Sequence, residues 1–254
     1  MHDPTVCCVL LTRDRPEMAA RAVRCFRRQS YENKWLLIFY QVEEDLGYPE
    51  QNIAEIYMPD AYGKSIGRLR NLANSFTDKT LGIEADIIAH WDSDDYSHHN
   101  RIAEQVELLQ SSGADVVGYN EMLFWDTRPG QFCGAWMYRN TNTHRPLGTS
   151  LCYWRHAWES KLFEDVSSGE DTRWLQGLAV KSQSSLVVKG LPGIPASVPP
   201  IVYASDLGVS VARMICTIHG SNTSSSYEVG KMDPYEWRRV PAWDDAVRRT
   251  MEEA

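Results

Sequence analysis

A short apolar run that ends in three closely spaced aspartates constrains the fold of this chain more than any other stretch. Residues 85–95 read Ala-Asp-Ile-Ile-Ala-His-Trp-Asp-Ser-Asp-Asp. The first half is typical of a strand that is buried on both faces. The second half carries Asp92, Asp94 and Asp95, whose like charges repel unless a cation lies between them. The pattern predicts an oxygen-ligand site at the carboxyl end of a central strand, with a solvated acidic turn as the plainer alternative.

Length, composition and charge narrow the class of protein. The chain has 254 residues, of which 43% are apolar, and it can bury the core of one large α/β domain. It contains no apolar run of roughly 18 residues or more, so no membrane span is predicted. Its N-terminus lacks the basic start and apolar core of a signal peptide. The net charge of −8 disfavours a broad nucleic-acid-binding surface.

The six cysteines lie mostly in apolar stretches and form no Cys-x-x-Cys pair. A cysteine zinc site is therefore not expected. Free thiols in a reducing compartment are the simplest account of this distribution, so we expect a cytoplasmic protein.

The first half of the chain alternates apolar strands with amphipathic helices. Strands are predicted at residues 6–11, 35–40 and 53–58. A helix with Asp14 as its N-cap follows the first strand, and its arginines fall largely off the apolar face, which predicts a solvated basic surface. Strand, helix and strand within about 35 residues form a βαβ unit, so the first two strands should be parallel. A second helix is predicted to begin near Ser65.

The second half of the chain predicts a mixed arrangement. A helix that opens near Asn100 should end at Gly113 and lead into a strand at residues 115–119. Apolar segments on either side of an Arg-Pro-Gly turn at residues 128–130 predict a hairpin. The remaining predictions are strands at residues 149–154, 185–188, 201–204 and 211–218, and one or two helices within residues 233–253.

Three further polar stretches lie at predicted element ends. A glycine-containing loop leads into the helix that carries Arg70, which suits an approaching phosphate, although a plain glycine turn fits equally well. Glu170 and Asp171 open another helix, where a carboxylate either suits the helix dipole or takes a proton from a substrate hydroxyl. His219 ends the last strand beside a loop rich in Ser, Asn and Thr, which indicates a metal ligand or a surface histidine.

Taken in this order, the motifs resemble those of glycosyltransferase family 2, inverting enzymes of the GT-A fold. The resemblance covers about residues 5–224. It rests on the opening strand with Thr12-Arg13-Asp14-Arg15, the loop and helix at residues 63–71, Asp92-Ser93-Asp94-Asp95, Gly169-Glu170-Asp171, and the segment from His219 to Ser224. It implies an α/β GT-A fold with a Rossmann-like, mostly parallel central sheet, helices on both faces, and a mixed acceptor-side half with a small antiparallel element.

The resemblance also implies how the chain is divided. We expect a single domain over residues 1–254. Within it, residues 1–120 form the nucleotide-sugar-binding half, residues 121–224 the acceptor-side half, and residues 225–254 a C-terminal helical extension.

Roles for individual residues follow from the same resemblance. Asp94 would bind a divalent cation, Mn²⁺ or Mg²⁺, and Asp92 would help to hold the ribose or the metal. His219 would complete the metal or diphosphate site. Asp171 and Glu170 would be the catalytic residues, with Asp171, the second member of this acidic pair, as the base that deprotonates the acceptor hydroxyl.

The donor nucleotide is expected to contact residues from several of these motifs. They are Thr12, Arg13, Asp14, Gln41, Arg70, Asp92 and Ser93. The chain departs from the family after the second strand, where an acidic pair usually contacts uracil and Gln41 stands here. Gln41 can still hydrogen-bond a base, and a UDP-sugar is the expected donor.

The expected activity is the transfer of a sugar from a nucleotide diphosphate donor to an acceptor hydroxyl, in the hexosyltransferase class. The acceptor stays open among saccharides, small molecules, proteins and modified nucleobases. A nucleotidyltransferase acting on a sugar phosphate is one alternative, but it predicts a glycine-rich loop after the first strand, where this chain has Thr-Arg-Asp-Arg-Pro. A non-catalytic domain that binds sugar nucleotides is the other, and the presence of both acidic motifs disfavours it.

Overall fold

The structure, a computed structural model, describes residues 3–41, 48, 51–78, 82–130, 132–139, 146–182, 213–220 and 235–254. The strands predicted at residues 185–188 and 201–204 lie outside the described residues, as does the loop after Gly220.

The described residues form eleven strands and six α-helices. The strands are β1 (Val6–Thr12), β2 (Lys34–Tyr40), β3 (Ile53–Tyr57), β4 (Ile87–His90), β5 (Tyr96–Ser97), β6 (Val116–Val117), β7 (Glu121–Asp126), β8 (Gly134–Arg139), β9 (Cys152–Trp154), β10 (Met214–Ile218) and β11 (Trp237–Arg239). The α-helices are α1 (Pro16–Arg27), α2 (Ile66–Ser75), α3 (Arg101–Ser112), α4 (Arg155–Ser160), α5 (Glu170–Ser182) and α6 (Asp244–Glu253).

The central sheet has six strands in the order β3-β2-β1-β4-β9-β6. The first four are mutually parallel, and β9 runs antiparallel to both β4 and β6. The predicted parallel pairing of the first two strands is therefore confirmed. Parallel strands end at the same edge of a sheet, so the residues that follow β1 and β4 are brought close together.

Helices cover both faces of this sheet because its inner strands are apolar on both sides. Cys8 and Leu36 pack with residues of α1 and α3 on one face. Cys7 and Leu37, their neighbours in sequence, pack with residues of α2, α4 and α5 on the other face. Successive side chains of a strand point to opposite faces, and this alternation explains the two separate core layers.

A second sheet, in the order β11-β8-β7-β10-β5, lies beside the first. The predicted hairpin is present, since β7 and β8 pair antiparallel from Glu121↔Arg139 to Asp126↔Gly134. β10 pairs parallel with β7 and antiparallel with β5. The acidic loop at residues 91–95 joins β4 of the central sheet directly to β5 of the second sheet, so it spans the junction between them.

Some helix ends follow the sequence prediction and one does not. Ser65 is the N-cap of α2, and its hydroxyl accepts a hydrogen bond from the backbone N–H of Arg68. Gly113 ends α3 with a positive φ of 67°. Asp14 is not the cap of α1: Arg15 holds that position and makes no side-chain cap, while Asp14 is exposed with a φ of 55°. Pro16, placed in the first turn, favours the helix start without a side-chain cap.

The C-terminal segment contains a strand as well as a helix. Only helices are predicted there, but Trp237 pairs antiparallel with Tyr138 and adds β11 to the edge of the second sheet. Trp237 is buried against Phe124, so the edge strand is stabilised by aromatic packing that a helical pattern does not reveal. α6 then packs on the second sheet through Val247 and Met251.

The cysteines are in the free-thiol state that the sequence predicts. All six cysteines are free, and five of them are buried. Among the helices that the structure describes, none combines the length and the apolarity that crossing a membrane requires.

Candidate active site

A cleft of about 480 Å³ opens where the carboxyl ends of β1 and β4 meet the second sheet. Its walls come from segments that are far apart in sequence. They are the acidic loop from Asp92 to Asp95, Arg15, Arg70, the start of α5, the turn around Gly148, and the aromatic residues Phe124, Tyr138 and Trp237.

Asp94 lies at the centre of a cluster of basic groups. Its Oδ2 is 2.9 Å from Nε2 of His219 and 3.2 Å from Nη1 of Arg15. Its backbone carbonyl accepts hydrogen bonds from Nη2 of Arg21, at 2.5 Å, and from the hydroxyl of Thr217. Burial acts to raise the pKa of Asp94, but the hydrogen bond from His219 and the charge of Arg15 lower the pKa below its ordinary value. Asp94 is therefore ionised at neutral pH.

Arg70 lies between two carboxylates, one in the acidic loop and one at the start of α5. Its Nη2 lies 3.6 Å from Oδ1 of Asp92, and its Nε lies 3.4 Å from Oε1 of Glu170. Burial lowers the pKa of Arg70, but the charges of Asp92 and Glu170 outweigh it, so the pKa is raised. Its Nη1 is buried and has no hydrogen-bond partner among the described residues. Arg70 thus keeps one donor for a further acceptor.

Asp95 is hydrogen-bonded by other groups of the protein through both of its carboxylate oxygens. Its Oδ1 accepts from the backbone N–H of Thr217 at 3.1 Å. Its Oδ2 accepts from Oγ1 of Thr149 at 2.5 Å and from Sγ of Cys216 at 3.2 Å. Burial, and then the charges of Asp94 and Asp92, raise the pKa of Asp95 to about 8. The sequence places all three carboxylates together around a cation, whereas the structure uses the third to tie the acidic loop to β10.

Asp171 lines the cleft at the first turn of α5. Its Oδ1 accepts from the backbone N–H of Thr172 at 2.7 Å. Its neighbour Glu170 is buried and is paired with Arg70. Burial raises the pKa of Glu170, with Arg70 opposing that shift. Of the acidic pair, Glu170 therefore holds Arg70, and Asp171 is the partly exposed carboxylate of the cleft.

The structure brings some of the predicted site residues together and leaves others outside the cleft. Arg70, Asp92, Ser93, Asp94, Glu170 and Asp171 line it, and His219 joins them through Asp94. Thr12, Arg13, Asp14 and Gln41 are not among its lining residues. Arg13 instead lies over the ring of Tyr62, with Cζ at 5.7 Å from the ring centroid. These four residues stay predicted nucleotide contacts.

The sequence did not single out two arginines that contact Asp94. Arg15 directly follows β1, and the parallel pairing of β1 with β4 is a signal that could have placed it beside the acidic loop. Arg21 is predicted to be part of a solvated basic face, but its Nη2 also lies 3.2 Å from Oγ1 of Thr217. A contact between positions 21 and 217 depends on how the second sheet packs on α1, which no local pattern indicates.

The possible metal ligands near Asp94 suit a cation whose coordination is completed by the phosphates of a substrate. Among the described residues, no three His, Cys, Asp or Glu side chains gather into a metal-binding group. Asp94 and His219 supply one carboxylate and one imidazole, and Asp92 is paired with Arg70 instead. Mg²⁺ is usually held by one or two carboxylates plus substrate phosphates rather than by an all-protein cage. The set of metal ligands Asp92, Asp94 and His219 therefore stays a prediction. A diphosphate would supply the remaining ligands of such a cation.

Comparison with solved structures identifies the fold. No known family model matches the sequence, and no curated protein matches it. S. aureus TarS 1-349 in complex with UDP-GlcNAc is similar in structure, with a TM-score of 0.61 and 12% identity over 88% of this chain and 62% of that chain. The fold is GT-A. The mannosyltransferase PcManGT from Pyrobaculum calidifontis, in complex with GDP-Man and Mn²⁺, is similar as well, with a TM-score of 0.56 and 12% identity over 86% of this chain and 57% of that chain.

The GT-A assignment confirms the predicted fold class. The chain spans less than two thirds of the length of each of these solved chains. The TM-scores of 0.61 and 0.56, at identities of 12%, show the fold alone. They leave membership of glycosyltransferase family 2, and the activity, to be argued from the cleft.

Proposed function

We propose that this protein is an inverting, cation-dependent glycosyltransferase of family 2 that moves a sugar, of the hexose class, from a UDP-sugar to an acceptor hydroxyl. One observation carries the proposal. A single cleft of a GT-A fold is lined both by Asp94, which is paired with Arg15 and His219, and by the carboxylate of Asp171. The TarS complex with UDP-GlcNAc and the PcManGT complex with GDP-Man support a nucleotide-sugar donor.

Two arginine side chains of the cleft suit the diphosphate of such a donor. Arg70 has an unused buried Nη1, and Arg15 lies partly exposed beside the acidic loop. Both guanidiniums can donate charge-assisted hydrogen bonds to phosphate oxygens. Asp94 and His219 would hold the divalent cation, Mn²⁺ or Mg²⁺, which when bound neutralises charge on the leaving diphosphate.

Asp171 suits the role of catalytic base. Inversion requires the acceptor oxygen to attack the anomeric carbon from the face opposite the nucleotide. Asp171 lines the same cleft as Asp94 and takes the hydroxyl proton as the new carbon–oxygen bond forms and the bond to the phosphate breaks. Glu170 does not share this role, because Arg70 holds its carboxylate. Glu170 contributes to the reaction by fixing Arg70.

A screen of nucleotide sugars with Mn²⁺ tests the proposal. A donor at 100 times its Kd should stabilise the native protein by about 2.7 kcal/mol, which a thermal shift detects. Release of UDP that stops on addition of EDTA is the expected result. Release of pyrophosphate from a nucleoside triphosphate would instead indicate a nucleotidyltransferase. Donor binding without turnover, with every acceptor class tried, would indicate a non-catalytic binding domain.

A further inference from the structure

A short turn in the wall of the cleft, Gly148–Ser150, is held by buried polar side chains from two elements. Nδ1 of His90 lies 2.6 Å from the carbonyl oxygen of Gly148. Nη2 of Arg101 donates to the carbonyl of Thr149 at 3.1 Å, and Nε2 of Gln105 donates to that of Ser150 at 2.7 Å. Three successive carbonyls of one turn are thus each bonded to a different buried side chain.

The side chains that hold the turn are themselves held. Nε2 of His90 lies 3.3 Å from the hydroxyl of Tyr153, which accepts from Nδ2 of Asn74 at 2.9 Å. Arg101 is fully buried, and it also donates to the carbonyl of His90 at 2.7 Å and to Oγ of Ser97 at 2.9 Å. Among these side chains, Oδ1 of Asn74 is buried without a partner in the described residues, and the other contacts are made; buried polar networks make their surroundings rigid to the extent that they are satisfied. The position of the turn is therefore strongly determined.

The carboxylate of Asp171 occupies the space that a side chain at position 148 would fill. A Cβ built on Gly148 would overlap Oδ2 of Asp171 and lie 2.7 Å from its Cγ and 3.0 Å from its Cβ. Gly148 is not among the glycines with positive φ. Its backbone is therefore open to any residue, and the three atoms nearest to the added Cβ all belong to Asp171.

We infer that Gly148 is a positioning residue for the proposed catalytic base. The missing side chain leaves a recess that seats the carboxylate of Asp171, and the turn carries this recess at a fixed place in the cleft. The bond from Thr149 to Asp95 then joins the same turn to the acidic loop. One rigid turn thereby contacts both the acidic loop and the proposed base, and it sets the distance between them. This inference rests on the proposed function.

Gly148→Ala tests the inference through a split between kcat and donor binding. The added methyl group displaces the carboxylate, and a displacement of about 1 Å at a reacting group can lower the rate by about 100-fold. We expect kcat to fall by about that factor, while the donor KM and the donor Kd from calorimetry stay unchanged. Gly177→Ala is the matched control on α5, because its Cβ would meet only the flexible end of Lys161. It should leave kcat unchanged.

A thermal cycle with Asp171→Ala separates the recess from a general packing effect. Gly148→Ala should lower the Tm in the presence of Asp171 and lower it clearly less in the Asp171→Ala background, because the overlapping carboxylate is gone and only the Cβ at position 171 remains, 3.0 Å away. If Gly148→Ala alone fails to fold, recovery of folding in the double variant supports the inference equally. An equal loss of Tm in both backgrounds, or a kcat within about threefold of wild type, overturns it. A wild-type protein without transfer activity would overturn the proposed function, while the thermal cycle would still decide the recess.

Discussion

Replacing Arg70 by methionine tests how the buried charges beneath the cleft are balanced. Arg70 is 6% exposed and lies between Asp92 and Glu170. Methionine retains much of the apolar stem, so the main change is the loss of the guanidinium. Two carboxylates then share a site without their counter-charge, and Glu170 is too buried to be solvated by water.

The expected loss of stability follows from these contacts. Removing one partner of a buried ion pair costs about 3–5 kcal/mol, because the remaining charge is left uncompensated. The Asp92 side chain is 31% exposed, so water screens part of its interaction, and we expect a loss near the lower end, about 3 kcal/mol. For a domain of this size, the Tm should fall by about 6–12 °C. Adding Glu170→Gln removes the unpaired carboxylate and should restore about 1–2 kcal/mol.

Urea denaturation at several pH values is the appropriate measurement. The deficit of Arg70→Met should be largest at neutral pH and should shrink as the pH falls and Glu170 takes up a proton. Arg68→Met is the matched control, since Arg68 is on the same helix and pairs with Asp165 at 3.7 Å, with both side chains more than half exposed. That control should cost less than about 1 kcal/mol. Equal losses for the two variants, or a deficit that does not depend on pH, would refute the argument.

Three further predictions concern the cleft and its surroundings. Asp94→Ala should abolish cation-dependent donor binding, and calorimetry with Mn²⁺ that shows wild-type affinity would contradict its role as a ligand. Asp171→Asn should lower kcat by about 10²–10⁴-fold with donor affinity retained, since a base acts on the acceptor; an equal loss of affinity in a binding titration would argue against this. Burial, followed by the charges of His99 and Arg213, lowers the pKa of His98 to about 4. Between these two pKa values the unfolded chain binds more protons than the folded one. The contribution of His98 to the free energy of unfolding is therefore complete above about pH 6.5 and is lost as the pH falls toward 4. His98→Gln should therefore remove about 1–2 kcal/mol of the acid-induced loss seen in denaturation curves, and identical curves for both proteins would contradict it.

The central sheet was predictable because its signals are local. Val6–Thr12, Lys34–Tyr40 and Ile87–His90 are short apolar runs, and each is fully or largely buried where the sequence predicts it. Ser65 and Gly113 mark helix ends through their own backbone or side-chain chemistry. Signals of this kind need no knowledge of the rest of the chain.

The parts of the site that were missed depend on contacts between distant segments. Asp95 looks like Asp94 in sequence, and only the packing of β10 and the turn at Thr149 turns it toward protein donors. Gly148 carries no motif, and its close approach to Asp171 appears only when α5 is in place. Tertiary packing, rather than local propensity, decided each of these features.

The pairing of β5 with β10 has a consequence for the tolerance of the site to insertions. Asp94 lies two residues before β5, and His219 lies one residue after β10. The ladder Met214↔Ser97 and Ile215↔Tyr96 thus fixes their separation, whatever the length of chain between them. A slip of one residue would move His219 by about 3.3 Å along the strand and reverse the face of every side chain in β10. Insertions within this two-strand ladder should therefore separate Asp94 from His219.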